Sequence, residues 1–169
     1  MATKTEEPIG LDNGSAAPNT ALKDDVGATL NLQDLMGKNG VVVAFVRSLG
    51  WCPFCKKQIR QLDEVRDQIE AAGWTIVSLT YDAPDVLATF REKTGVTIPL
   101  LSDEGSVAID AYNLRNKGVK PGGKAGGVPH PAVVFVGTDG TVKEMLRHKG
   151  YQTRPSAEDV VAAAKSLAS

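Results

Sequence analysis

The 169-residue sequence predicts an α/β fold in which helices flank a mixed β-sheet. A run of β-branched and aromatic residues over 41–46 lacks polar alternation, which is typical of a strand buried on both faces. The apolar residues that follow Cys52 recur at helical spacing, and a second apolar run covers 74–80. Strand, helix and strand in this order predict a β-α-β unit at the centre of the fold.

The elements that precede this unit are short. Polar residues over 1–17 predict a flexible N-terminal arm, and residues 18–169 are long enough to form a single domain with one core. An Asp and Gly turn within 21–30 predicts an N-terminal β-hairpin. The apolar residues of 32–36 predict one helical turn that leads into the first long strand.

The elements that follow the second strand are predicted mainly from their capping residues. Asp82 is expected to cap the next helix, with Pro84 in its first turn. Residues 98–101 predict a short extended segment. Asp103 is then expected to cap a further helix that turns Val107 toward the core.

The last third of the chain begins with a segment rich in glycine and basic residues. Residues 113–129 predict a mobile loop, after which 131–136 and 142–146 predict an antiparallel strand pair. Ser156 and Asp159 form a capping-box pattern that predicts the start of an amphipathic C-terminal helix. The predicted sheet therefore combines parallel and antiparallel pairing.

Charge and hydropathy exclude several classes of partner. The 19 basic residues are matched by 20 acidic ones, for a net charge of -1, so we expect neither nucleic acid nor an anionic membrane as a ligand. No apolar run approaches the roughly 20 residues of a membrane span. The first 18 residues lack the apolar core of a secretory signal, and we therefore expect a soluble, cytoplasmic protein.

Both cysteines of the chain lie in one CxxC motif at the predicted strand-to-helix turn. Pro53 falls in the first helical turn, where its missing N–H costs nothing. Cys52 lies at the helix N-terminus, which favours a thiolate, and Cys55 lies one turn further along the helix. We expect Cys52 to attack and Cys55 to resolve. We expect no cofactor and no metal, because there is no second CxxC and the two histidines lack finger-like spacing.

Several segments together resemble the thioredoxin fold and, more specifically, the peroxiredoxin-like redoxins of the alkyl hydroperoxide reductase and thiol-specific antioxidant type. The segments that carry the resemblance are Ala17–Leu22, Leu32–Leu35, the WCPFC motif of Trp51–Cys55, Ile98–Asp103 and Pro131–Gly140. The resemblance implies a thiol peroxidase that acts on hydroperoxides and is reduced by a thioredoxin- or glutathione-type donor. It also implies that a homodimer can form.

This chain departs from the sequence pattern of the family just before the cysteines. The family places a proline seven residues and a serine or threonine three residues before the attacking cysteine, whereas this chain has Phe45 and Leu49 there. Ser48 and Arg47 stand close enough in sequence to substitute for the missing groups that hold the peroxide.

Other candidate site residues flank the motif. The guanidinium of Arg47 either stabilises the Cys52 thiolate or is an exposed charge at the strand end, and Arg154 is a weaker candidate for the same role. Trp51 and Phe54 either form a rim that shapes the substrate surface or simply cover the helix start. The resemblance implies a cis proline at Pro131 that faces the cysteines, which brings His130 near them as a proton acceptor.

Two alternatives to the peroxidase stay open at this point. A thioredoxin-like reductase or isomerase of protein disulfides is favoured by the missing proline and threonine. A noncatalytic interaction module, with or without a metal on the cysteine pair, belongs to a different class of protein.

Overall fold

The computed structural model describes residues 8–120, 122–123, 125–148 and 153–168, and a mixed β-sheet forms its centre. The strands, in chain order, are β1 (Leu22–Lys23), β2 (Thr29–Leu30), β3 (Gly40–Phe45), β4 (Trp74–Thr80), β5 (Leu100–Ser102), β6 (Ala132–Gly137) and β7 (Val142–Leu146). They lie side by side in the order β2-β1-β5-β4-β3-β6-β7. The three strands β3, β4 and β5 are parallel, whereas β1, β6 and β7 pair antiparallel with their neighbours.

Helices cover both faces of this sheet. They are α1 (Pro53–Glu64), α2 (Arg66–Ala71), α3 (Pro84–Thr94), α4 (Val107–Ala111), α5 (Ala157–Leu167) and a short 3₁₀ helix over Leu32–Leu35. One core contains apolar residues of α1, α2, α3 and α5, and the other contains those of α4 and the 3₁₀ helix. None of the helices that the structure describes has the length and hydropathy of a membrane span.

The strand β3 lies between the two cores. Val41, Val43 and Phe45 pack into one core, and Val42 and Ala44 pack into the other. This division follows from the two-residue period of a strand, and it explains why the sequence shows no polar alternation here. The central buried strand of the prediction is confirmed, and so is the β-α-β unit that continues through α1 and the parallel strand β4.

The local predictions succeed where a turn or cap is encoded within a few residues. Leu22 pairs with Leu30 in the predicted hairpin, and β6 and β7 form the predicted antiparallel pair. The Ser156 side chain accepts a hydrogen bond from the Asp159 N–H at the start of α5, as the capping box predicts. The single long helix predicted after Cys52 is instead divided at Val65 into α1 and α2.

Two further local predictions are wrong. Asp82 does not cap α3, because Ala83 occupies the N-cap position and the Asp82 carboxylate turns toward the strand ends instead. Val107 does not face the core, since α4 begins at this residue and leaves its side chain 60% exposed. Asp103 does receive the Ala108 and Ile109 N–H groups at the start of α4.

The predicted N-terminal arm lies partly against the sheet. Residues 1–7 are outside the described residues, but the following segment runs beside β7. There Gly14 N–H donates to the Val142 carbonyl, Val142 N–H donates to the Ser15 carbonyl, and Ala17 N–H donates to the Gly140 carbonyl. Because these backbone groups are paired, the segment from Gly14 to Ala17 does not extend away from the fold.

Candidate active site

The loop that leaves β3 brings Cys52 to the position just before α1. Cys52 is the N-cap residue in an extended conformation, and Pro53 begins the helix, as the sequence predicts. The Cys52 side chain is only 2% exposed, and Cys55 is fully buried against the core on the inner face of α1. Because Cys55 lies one helical turn after Cys52, both sulfurs point toward the same end of the sheet.

The two thiols are free and form a hydrogen-bonded pair. The Cys55 thiol donates to Cys52 Sγ, with 2.7 Å between the two sulfurs. This hydrogen bond is the main reason why the pKa of Cys52 falls to about 5, and the positive charge of Arg154 lowers it further. Burial raises the pKa of Cys55 above its ordinary value, and its hydrogen bond to Cys52 adds to the increase. At neutral pH the pair therefore holds a thiolate on Cys52 and a proton on Cys55.

Arg154 brings a guanidinium to both sulfurs from the segment that precedes α5. Its Nη2 lies 3.2 Å from Cys55 Sγ and 3.8 Å from Cys52 Sγ. Its Nη1 donates to Oε1 of the buried Gln58 at 2.7 Å, which orients the guanidinium toward the thiols. The sequence suggested this role mainly for Arg47 and only secondarily for Arg154, and the structure reverses that order.

Arg47 contributes through its backbone. Its N–H donates to Cys55 Sγ at 3.2 Å, while its guanidinium carbon lies 5.0 Å from the centre of the Trp51 ring. The Trp51 indole N–H in turn donates to the Tyr81 hydroxyl at 2.9 Å, and burial raises the pKa of Tyr81. Trp51 therefore links Arg47 to the end of β4 beside the cysteine loop.

A buried network fixes the shape of this loop. The Ser48 hydroxyl donates to Asp82 Oδ1 at 2.7 Å, and Asp82 Oδ2 accepts from the Leu49 N–H and the Thr80 hydroxyl. The Ser48 oxygen also accepts from the Gly50 N–H. The hydroxyl of Ser48 is thus engaged by the loop itself, and its substitution for a peroxide-holding threonine stays a prediction.

His130 and Pro131 do not have the geometry that the resemblance implies. The His130 N–H donates to the Leu114 carbonyl, and its side chain lines a cavity of about 340 Å³ with Pro8, Ile9 and residues of 113–118. Among the described residues, His130 makes no hydrogen bond to either sulfur, and no peptide bond is cis, so the bond before Pro131 is trans. Burial lowers the pKa of His130, and the charge of Arg147 lowers it further.

The sequence missed Gln58 and Asp82 as site residues. Asp82 carried a usable signal, because it follows a parallel strand next to β3 and such strand ends meet at one edge of the sheet. Gln58 carried none, since a glutamine on a helix gives no indication of its partner. Among the described residues, no group of three His, Cys, Asp or Glu side chains lies close enough to hold a metal.

Comparison with known proteins gives consistent similarities. Residues 13–145 match the AhpC/TSA family. The thiol-disulfide oxidoreductase ResA of Halalkalibacterium halodurans is 24% identical over 147 residues, which cover 86% of this chain and 73% of that protein. A putative peroxiredoxin of Mycobacterium tuberculosis is 32% identical over 102 residues, which cover 60% of this chain and 64% of the relative, less than two thirds of its length.

A solved structure supports the fold prediction. The peroxiredoxin-like protein from Aquifex aeolicus superposes with a TM-score of 0.78 over 95% of this chain and 90% of that one, at 20% sequence identity. The agreement confirms the thioredoxin-like arrangement of a mixed sheet between helices. Because the identity is low, this structure bears on the fold alone.

Proposed function

The chain belongs to the AhpC/TSA family, and on that premise we propose that it is a thiol peroxidase that cycles between a Cys52 and Cys55 dithiol and a disulfide. Its relatives are named peroxiredoxin or thiol-disulfide oxidoreductase, and both names indicate that this chain is an oxidoreductase. The observation that carries the proposal is the sulfur pair at the start of α1, in which one thiol has a pKa of about 5 and Arg154 faces both sulfurs.

In the oxidative step, the Cys52 thiolate attacks the terminal oxygen of a hydroperoxide. The O–O bond breaks, the sulfur keeps the hydroxyl as a sulfenic acid, and the alkoxide leaves and takes a proton to become an alcohol. The Arg154 guanidinium supports this step because positive charge stabilises both the thiolate and the negative charge that develops on the leaving oxygen.

In the resolving step, Cys55 attacks the sulfenic sulfur of Cys52. A sulfur–sulfur bond forms, the sulfur–oxygen bond breaks, and the hydroxide that leaves takes the proton of the Cys55 thiol as water. The raised pKa of Cys55 fits this role, because it keeps the proton on Cys55 until the leaving group needs it.

Two thiols of a thioredoxin- or glutathione-type donor then restore the dithiol, and their own sulfurs become a disulfide. This recycling needs a reducing compartment, and we therefore assign the cycle to the cytoplasm. The mechanism uses residues of one chain only, so the homodimer stays a prediction that this cycle does not require.

Stopped-flow oxidation by hydrogen peroxide, followed by thiol trapping and mass spectrometry, tests the proposal. The wild type should form an intramolecular disulfide much faster than free cysteine is oxidised. The variant Cys52→Ser should not react, whereas Cys55→Ser should stop at a sulfenic acid that a dimedone-type reagent traps. If Cys52 reacts no faster than free cysteine, the peroxidase proposal fails.

A second candidate is reduction of protein disulfides, which the surroundings of Cys52 favour in one respect. Phe45 and Leu49 are buried where the peroxiredoxin pattern has a proline and a hydroxyl, and Ser48 donates its hydroxyl to Asp82. Insulin reduction measured beside peroxide consumption, with the same enzyme and donor, separates the two activities. Fast insulin reduction with peroxide consumption at the background rate would establish the second candidate.

A further inference from the structure

A cavity of about 310 Å³ lies on the outer flank of α1, between this helix, α3 and the loop that leads to Cys52. Its apolar part is formed by Leu49, Val86 and Phe90. The charged residues around it are Lys56 and Arg60 from α1 and Asp85 and Lys93 from α3. The cavity therefore combines an apolar base with three cations and one carboxylate.

The three cations form a local excess of positive charge in a chain whose net charge is -1. Among the described residues, none of them has an ion-pair partner: the four pairs found join other residues. Lys56 and Arg60 are also four residues apart on one helix, a spacing at which like charges repel. Lys56 lies in the first turn of α1, where the helix dipole disfavours a cation. The arrangement destabilises the free helix slightly and suits an anionic ligand.

The cavity adjoins the catalytic loop but does not include either sulfur. Gly50 forms part of its wall two residues before Cys52, a backbone distance of at most about 7 Å. A side chain at position 50 would meet Val86 at 3.0 Å, so the loop packs tightly against α3. The cavity wall therefore includes the loop that carries Cys52, and a thiol held there by its charged end would lie beside this loop.

The opposite, inner flank of α1 carries the groups that act in the oxidation by peroxide. Gln58 holds Arg154 there, on the other side of the buried stripe formed by Cys55, Ile59 and Leu62. Because Arg154 supplies the positive charge for O–O cleavage on that flank, the cations on the outer flank are available to the other substrate of the cycle, the thiol donor.

We propose that the cavity binds the carboxylates of a low-molecular-weight thiol that reduces the Cys52–Cys55 disulfide. This inference rests on the dithiol cycle proposed above. The bound thiolate attacks Cys52 Sγ, the bond to Cys55 breaks, and Cys55 leaves as a thiolate that takes up a proton. A second molecule of the same thiol then attacks the mixed disulfide, which releases Cys52 and the oxidised donor.

Reduction of the isolated disulfide form tests the proposal without any peroxide. The protein is oxidised with diamide, and the return of the dithiol is followed by stopped-flow tryptophan fluorescence or thiol trapping. Two reductants are compared: glutathione, which carries two carboxylates, and 2-mercaptoethanol, which carries none. The variants are K56Q/R60Q/K93Q, in which the three cations are neutralised, and Lys57→Gln, in which an exposed lysine of α1 outside the cavity is changed.

We expect the glutathione rate constant of the triple variant to fall about tenfold, because three exposed ion interactions, each of modest strength, are lost together. Its rate with 2-mercaptoethanol should change less than about twofold, and Lys57→Gln should match the wild type with both thiols. Equal losses with both thiols, or no loss with glutathione, would overturn the proposal.

If the triple variant does not fold, Lys93→Gln alone preserves the test, since it leaves α1 intact and should lower only the glutathione rate, by about threefold. Failure of the proposed peroxidase is separately visible, because it would appear as slow oxidation by peroxide while diamide still forms the disulfide. If the rates with glutathione and with 2-mercaptoethanol depend on these cations in the same way, the cavity assignment is contradicted and the peroxidase proposal is not.

Discussion

The two flanks of α1 carry the same kind of charge in opposite surroundings. On the inner flank, Arg154 is half-buried and contacts two buried sulfurs and the buried Gln58. On the outer flank, Arg60 and Lys93 are exposed around a cavity. One flank thus holds a cation that is built into the protein, and the other offers cations to a ligand.

This difference in burial determines what each charge can do. Coulomb interactions strengthen as the surroundings become less polar, so Arg154 can change the protonation of a thiol that it faces. Exposed cations interact weakly with any one group and are screened by salt, but they can select among ligands that differ in charge. We therefore expect changes on the inner flank to affect oxidation of Cys52, and changes on the outer flank to affect its reduction.

The largest effect is expected for Arg154→Gln. The substitution keeps a hydrogen-bonding side chain but removes the charge, so the pKa of Cys52 should rise and the leaving oxygen should lose its stabilisation. We expect the rate of oxidation by hydrogen peroxide at neutral pH to fall about 100-fold, the usual cost of losing one such donor. The rate of glutathione reduction of the disulfide should change far less.

Arg147→Gln is the matched control, because this arginine lies in the same C-terminal part of the chain and donates to the His148 carbonyl instead of to a sulfur. It should oxidise at the wild-type rate. If the two variants lose oxidation equally, the guanidinium of Arg154 has no special role at the thiols.

The pH dependence of oxidation sharpens the same comparison. A pKa of about 5 leaves Cys52 ionised at neutral pH, so the oxidation rate should be nearly flat from pH 6 to 8. Below the pKa the thiolate is protonated, and the rate should fall about tenfold for each pH unit. A thiol with the ordinary pKa of about 8.5 would instead lose its rate between pH 9 and 7.

The Cys55→Ala variant separates the causes of this low pKa. The substitution removes the hydrogen bond that contributes most to the low pKa of Cys52, so the oxidation rate should begin to fall at a higher pH than in the wild type. The charge of Arg154 should still keep the pKa of Cys52 below that of a free thiol. The measurement is the initial oxidation rate across pH in buffers of constant ionic strength. An unchanged profile would show that the Cys55 thiol does not stabilise the Cys52 thiolate.

The contrast between local and distant contacts also explains what could be predicted from the sequence. The position of Cys52 at a strand-to-helix turn depends on residues within a few positions of it, and this prediction agrees with the structure. The contact between Arg154 and the sulfurs joins residues about a hundred positions apart, and only the packing of α5 against α1 brings them together. No periodicity or cap pattern carries that information.

Asp82 shows the same limit for contacts that are distant in sequence. Its position before Pro84 is typical of a helix cap, yet its carboxylate receives the Ser48 hydroxyl and the Leu49 N–H from the neighbouring strand end. The carboxylate could either cap the helix or join the buried network. The network is the more stable arrangement, because it provides several buried hydrogen bonds whereas a cap provides one. The sequence contained both uses and could not rank them.

The smallest effect, and the most direct test of the two flanks, is expected from salt. Raising sodium chloride from 50 to 500 mM shortens the Debye length from about 14 to about 4 Å, which screens exposed charges far more than buried ones. Glutathione reduction of the disulfide should therefore slow about threefold, while reduction by 2-mercaptoethanol and oxidation by hydrogen peroxide should change less than about 1.5-fold. The three rates can be measured on one preparation. Equal salt dependence of glutathione reduction and peroxide oxidation would mean that the cations on the two flanks act alike, and that the outer cavity does not recognise the charge of the donor.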